Sequence, residues 1–211
     1  MQLIGRYSSP FVRRVAVTMQ VYGIDYRRRD LVPFGDDKAE IRKHNPLGRV
    51  PALVLGETLV ESTVVIDYLD GVAGPERALT PPLGPARRQV LNLAAVAAGA
   101  AEKLTSSLYE HHLRPREMVY RPWTEMCDRQ VSDGFQWLET RLAGNWFVGD
   151  RMSQADIAVA AFWQFGMEKR PNFLARMACP RIQGLSDRMA ATPPFLNTLP
   201  GEGLPKGIAL E

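Results

Sequence analysis

Cysteine and histidine are scarce in this 211-residue chain, with two and three copies, and charge of neither sign is concentrated anywhere. Cys127 and Cys179 form no CxxC pair, and His111-His112 have no metal-ligand spacing to Cys127. A structural disulfide, a cysteine redox motif and a zinc site are therefore not spelled out. Up to Ala78 there are 11 basic and 10 acidic residues, and beyond it 15 and 13, so no basic block marks a nucleic-acid partner. The longest apolar stretch, Leu93 to Ala101, is Ala-rich and far shorter than the ~20 residues of a membrane helix. Arg6, Arg13 and Arg14 stand where a signal peptide needs its apolar core, which predicts a cytoplasmic protein. What remains is an ordinary globular composition, 45% hydrophobic and 23% charged.

The texture changes at GPERALTPPLGPA, residues 74–86, where Gly and Pro crowd out regular structure. We read a first domain over 1–78, a linker over 79–86 and a second domain over 87–211. In the first, Gln2 to Gly5 form a strand candidate, and Val12, Val15, Ala16 and Met19 fall at helical spacing closed by Gly23. A strand over Asp25 to Val32 carries the exposed cluster Arg27-Arg28-Arg29, and a polar helix runs from Asp36 to His44. Asn45-Pro46-Leu47-Gly48 is a turn, Val50 to Leu55 a buried strand and Thr58 to Val60 its hairpin partner. Ser62 is read as the N-cap of a helix with Val65, Ile66 and Leu69 inward. The order is β-α-β-α-β-β-α. The second domain reads as all helix: one face with Val90, Ala94, Ala97, Ala101, Leu104 and Leu108, another with Val131, Phe135, Leu138 and Leu142 ended by Gly144. Ser153 and Asp156 make an S-x-x-D capping box. The tail from Pro193, with four prolines and three glycines, is expected to drape over the surface, and closure over a site is left open.

Three places could carry chemistry. Ser8-Ser9-Pro10-Phe11 lies between a strand and a helix N-terminus, where free N–H groups, the positive helix end and a serine hydroxyl can hold a thiolate. Such a site lowers a thiol's pKa, although Ser9 as a plain N-cap explains the same pattern. Val50-Pro51 opens a strand, and a cis bond there would expose the backbone of Val50 to an extended peptide, although a simple turn proline fits as well. Glu61-Ser62, at a helix start, could clamp the carboxylate and ammonium of an amino acid, or be an ordinary cap.

Taken together, an anion site, an exposed strand edge and an amino-acid clamp suit a γ-glutamyl tripeptide thiol. The chain resembles the soluble glutathione S-transferases over essentially its full length. The resemblance rests on Tyr7-Ser8-Ser9-Pro10-Phe11-Val12-Arg13-Arg14, Asn45 to Leu53, Glu61-Ser62 and Ser153 to Ala158 in order, and its S-P-F-V-R-R form looks most like small serine-type bacterial members. It implies a thioredoxin-like α/β N-terminal domain followed by an all-α C-terminal helical domain, the glutathione S-transferase fold. It further implies glutathione as co-substrate with no permanently bound cofactor, and Ser9 as the activating hydroxyl with Ser8 as the fallback. Val50 would bind the cysteinyl backbone across a cis Val50-Pro51 bond, Glu61 and Ser62 the γ-glutamyl end, and Arg49 the glycyl end. Phe11, Tyr109 and His112, with His111, would line a pocket for a small hydrophobic electrophile. Trp163 could approach it. A homodimer through the Ala-rich helix and a role in detoxification belong to the same expectation.

Serine replaces the cysteine of glutaredoxin-like and omega-type relatives, which argues against disulfide exchange. Ser9 is followed by Pro10-Phe11, so the S-S-C motif of the maleylacetoacetate isomerase class is absent. A non-catalytic adaptor for transcription or translation, and a glutathione-dependent reductase or peroxidase, are the alternative functions that the same fold would serve.

Overall fold

The computed structural model describes residues 1–201, which divide into two compact units. The first comprises residues 1–84 together with 190–201, and the second residues 85–189.

The first unit runs β1 (Gln2–Ile4), α1 (Pro10–Tyr22), β2 (Arg27–Arg29), α2 (Asp37–His44), β3 (Ala52–Val54), β4 (Thr58–Val60) and α3 (Ser62–Ala73), the β-α-β-α-β-β-α order expected. The sheet order is β2-β1-β3-β4. β1 and β2 are parallel because α1 carries the chain back between them, whereas β3 is antiparallel to both β1 and β4. Ile4, Ile41 and Ala52 form a sealed cluster on which Leu31, Val50, Val54 and Val60 pack. β2 is shorter than its sequence suggests. It is an edge strand with one neighbour, and beyond Arg29 the chain bends, with Leu31 N–H donating back to the Arg29 carbonyl at 3.0 Å and Val32 N–H to the Asp37 carboxylate at 2.9 Å.

α1 begins on the Ser9 cap and ends at Gly23, whose left-handed φ of 68° lets Gly23 and Ile24 N–H donate to the carbonyls of Gln20 and Met19. Its apolar stripe of Val12, Val15, Ala16 and Met19 is fully buried, and so, at 5% and 3% exposure, are Arg13 and Arg14. Arg13 donates to the Phe195 carbonyl at 3.4 Å and lies over that ring at 5.2 Å. Phe195 belongs to α9 (Pro193–Leu196), so this part of the tail is a packed helix of the first unit. The rest of the tail, 202–211, lies outside the described residues. Burial lowers the Arg14 guanidinium to about 10 against the opposing pull of Asp70. Asp70 accepts a short hydrogen bond from the Tyr22 hydroxyl, which itself accepts Leu79 N–H at 2.7 Å.

The second unit contains α4 (Gly84–Leu113), α5 (Arg121–Glu139), α6 (Gln154–Lys169), α7 (Pro171–Ala175) and α8 (Pro180–Ala190). Every residue read as the inner face of α4 and α5 is buried. α5 stops at Glu139, five residues before Gly144, because Thr140 and Arg141 side chains bond the Trp137 carbonyl and end the last turn. Leu142 is buried beyond the helix end. Trp163 is 2% exposed, meets Phe135 edge-on at 5.1 Å and donates to Gln183 at 2.8 Å, so it serves packing within this unit. Arg170 forms a two-point ion pair with Asp128 at 2.6 and 2.9 Å, tying α6 to α5.

Candidate functional site

The register of the sheet collects the candidate residues of the first unit at one end. Ile4 pairs with Ala52, and Ala52 with Val60. Gly5, Pro51 and Glu61 are the next residues outward on those three strands, so the β1–α1 turn, the start of β3 and the start of α3 share one edge. Gly5 allows the closeness. A Cβ there would fall 2.5 Å from Val12 Cγ2 and 3.0 Å from Val50 Cβ, and its φ of 128° suits glycine alone.

Ser9 has extended backbone angles, and its hydroxyl accepts Val12 N–H at 3.4 Å. It is therefore an N-cap, as the simpler explanation required. Accepting that bond leaves its own proton available to an anion at the helix start, so capping and thiolate binding are compatible. Ser8 is half-buried in the same turn, Phe11 is buried in the first turn of α1, and Pro10 opens the helix.

Val50-Pro51 is a cis peptide bond. Val50 is half-buried, and its backbone N–H and C=O have no hydrogen-bond partner among the described residues. The preceding turn is organised by Asn45, fully buried, whose side chain accepts Leu47 N–H at 3.0 Å and donates to the Arg49 carbonyl at 3.0 Å. Its own carbonyl accepts Gly48 N–H at 2.8 Å. Arg49 is exposed beside it. From the sequence Asn45 reads as a turn former, without its side-chain bonds. The Asn-Pro-x-Gly pattern was the available signal for an Asx turn that fixes the strand entrance.

At α3 the cap is Glu61 and not Ser62, so the helix starts one position earlier than expected, with Ser62 as its first helical residue. Glu61 adopts φ 71° and ψ 137°, a conformation that costs a non-glycine residue about 1–3 kcal/mol. The first turn of α3 carries no acidic residue to offset the positive helix end, and Ser62 there is 2% exposed. Tyr109 and His112 lie on the last turns of α4 in the second unit, Tyr109 exposed and His112 half-exposed.

Two features escaped sequence reasoning. Tyr7 Oη lies 2.7 Å from Tyr26 Oη, and the Arg28 guanidinium covers the Tyr7 ring at 3.8 Å. Arg28, read as a solvated edge charge, is thus an anchor for the turn before α1. Burial first, and the bond to Tyr7 second, push the Tyr26 phenol well above its usual range. Neither cysteine is available for chemistry here: both are buried, with burial raising Cys127 and pushing Cys179 up to about 11. No group of His, Cys, Asp and Glu among the described residues could hold a metal ion.

The family model for the glutathione S-transferase N-terminal domain matches residues 3–77, and that for the C-terminal domain matches residues 112–193. The chain belongs to the glutathione S-transferase family. A solved glutathione S-transferase from Methylobacillus flagellatus KT with GSH bound is 28% identical, aligned over 95% of this chain and 99% of that one, with a TM-score of 0.87. A probable maleylacetoacetate isomerase of Vibrio cholerae is 28% identical over 94% of either chain. The uncharacterized GST-like protein YibF of Escherichia coli K12 is 35% identical, but over 33% of this chain and 35% of that one. The likeness to glutathione S-transferases thus extends from the β1–α1 turn through the helical unit. No helix of the described residues is long and apolar enough to cross a membrane.

Proposed function

We propose that this glutathione S-transferase family member binds glutathione at the sheet end just described and activates its thiol with Ser9 for attack on a hydrophobic electrophile. The observation that carries the reading is the convergence at one edge of an unpaired Val50 backbone, the α3 start with Glu61 and Ser62, and the capped start of α1. An extended tripeptide pairing with Val50 would present its γ-glutamyl head to Glu61 and Ser62, its glycyl end to Arg49 and its sulfur to Ser9. Ser8 is the fallback hydroxyl. A free thiol has a pKa near 8.5, and each unit of depression is worth roughly 1.4 kcal/mol of thiolate stabilisation. Phe11, Tyr109 and His112 are the residues proposed to receive the electrophile. A cytoplasmic homodimer acting in detoxification completes the reading. Most alanines of α4 are already buried within the chain, so the dimer would use its other face, where Leu91 is 39% exposed.

Titration calorimetry of glutathione into the wild type and Glu61→Ala tests the site. Saturable binding that the substitution abolishes supports it, and no binding at millimolar glutathione overturns it.

A second reading is favoured by the likeness to the Vibrio cholerae probable isomerase over nearly the whole chain. The same thiolate could add to a cis double bond and leave after rotation, giving isomerisation without net transfer. Pro10-Phe11 after Ser9 weighs against it. Turnover of maleylacetoacetate beside a panel of alkyl and aryl halides distinguishes the two.

A further inference from the structure

We infer that Tyr26 is a positioning residue, holding through Tyr7 the turn that aims Ser9. This deepens the glutathione reading above and rests on it. Ser9 N–H donates to the Arg6 carbonyl at 3.0 Å, closing a four-residue turn, Arg6 to Ser9, directly before α1. Tyr7 is the second residue of that turn. Its side chain is held from two directions: Tyr26 at 2.7 Å on the hydroxyl, and Arg28 at 3.8 Å over the ring. Arg28 is itself fixed by Asp30 at 2.9 Å. Both anchors come from β2 and the residue just before it, and β2 runs parallel to the strand that feeds the turn.

Asn197 Nδ2 donates to Gln20 Oε1 at 3.3 Å, so the amide nitrogen of Gln20 is the group left to meet Tyr26. Gln20 bonds the Tyr26 hydroxyl, which shares a second hydrogen bond with Tyr7. The chain Asn197–Gln20–Tyr26–Tyr7 therefore runs from the segment following α9, along the flank of α1, to the turn beside Ser9. It carries no charge of its own and ends two residues from the activating hydroxyl. A hydroxyl that must donate to a thiolate loses most of its effect when displaced by a fraction of an ångström.

The test is Tyr26→Phe, which deletes one hydroxyl and keeps the ring, read beside Tyr7→Phe and Ser9→Ala in the full chain. The probes are calorimetry with glutathione and titration of the bound thiolate by its ultraviolet absorbance. We expect Tyr26→Phe to keep glutathione affinity within about threefold while raising the thiolate pKa by about 0.5–1 unit, about a three- to tenfold lower thiolate-to-thiol ratio. Tyr7→Phe should do the same, and the double variant should be no worse than either single one. A wild-type thiolate titration in Tyr26→Phe, with Ser9→Ala shifted, overturns the inference and leaves the glutathione reading standing. So does a variant that only loses thermal stability and affinity. Absence of glutathione binding to the wild type overturns the underlying reading instead.

Discussion

The Asp156 carboxylate accepts the Ser153 backbone N–H at 2.8 Å and the Ser153 hydroxyl at 2.7 Å, closing a capping box whose two residues are both buried. The other carboxylate oxygen takes Phe147 N–H at 3.0 Å, which fastens the loop before α6 to the helix start. Asp156 is thus a folding residue, far in kind from the thiol chemistry.

Asp156→Ala should cost about 2–4 kcal/mol, because it removes the cap and strands the buried Ser153 N–H and the part-buried Phe147 N–H. Its pH behaviour has a definite sign. Burial raises the Asp156 carboxyl above the ordinary carboxyl value, so the native state keeps a proton that the unfolded chain releases. The penalty for its charge is fully present above the folded pKa and is relieved as pH falls towards the unfolded one. Urea unfolding of wild type and variant should show the gap between them widening, not closing, from about pH 7 to about pH 4.

Glu61→Gly should separate stability from binding. The φ of 71° is natural for glycine, so relief of about 1–3 kcal/mol exceeds the extra backbone entropy of about 0.5–1 kcal/mol, for a net gain near 1 kcal/mol. Glutathione binding should be lost in the same variant. A lower melting temperature than wild type would contradict the strain argument.

Gly5→Ala tests the closeness of the β1 end to α1 and the β3 entrance. The added methyl would sit 2.5 Å from Val12 Cγ2 at a backbone angle alanine resists, and we expect a loss of about 2–4 kcal/mol. Chemical denaturation measures this directly, and calorimetry should show glutathione affinity falling with it.

Ser9→Ala should barely affect folding, since the 3.4 Å cap bond is long; a loss of about 0.5–1 kcal/mol is expected. The thiolate of bound glutathione should form only at higher pH, by about one unit or more. Unchanged titration with unchanged turnover would transfer the role to Ser8 or remove it from this turn.

Local chemistry made much of the first unit legible. Gly23 announced the end of α1, Gly56-Glu57 the β3–β4 hairpin, and Ser153 with Asp156 the start of α6. The candidate residues of the first unit were named because turns, caps and prolines mark the ends of elements, and in this sheet the ends meet. What stayed hidden depends on partners remote in sequence. Arg13 and Arg14 interrupt an apolar stripe and look solvated until Phe195 and Asp70 are placed against them. Tyr7 and Tyr26 are ordinary aromatics 19 residues apart until β2 lies beside β1. Glu61 carries no sign in its identity that its φ is positive; only the strand before it and the helix after it impose that.

The packing of Phe195 on α1 bears on how the chain is made. The first unit's sheet and three helices are complete in sequence by residue 84, yet the aromatic ring beneath Arg13 is translated 111 residues later (195 − 84). At roughly 5–20 residues per second, ribosomes leave that face of α1 uncovered for about 6–22 s in every round of synthesis. Throughout that interval the guanidinium of Arg13, with water instead of Phe195 around it, makes the open face more soluble than a wholly aliphatic one would be.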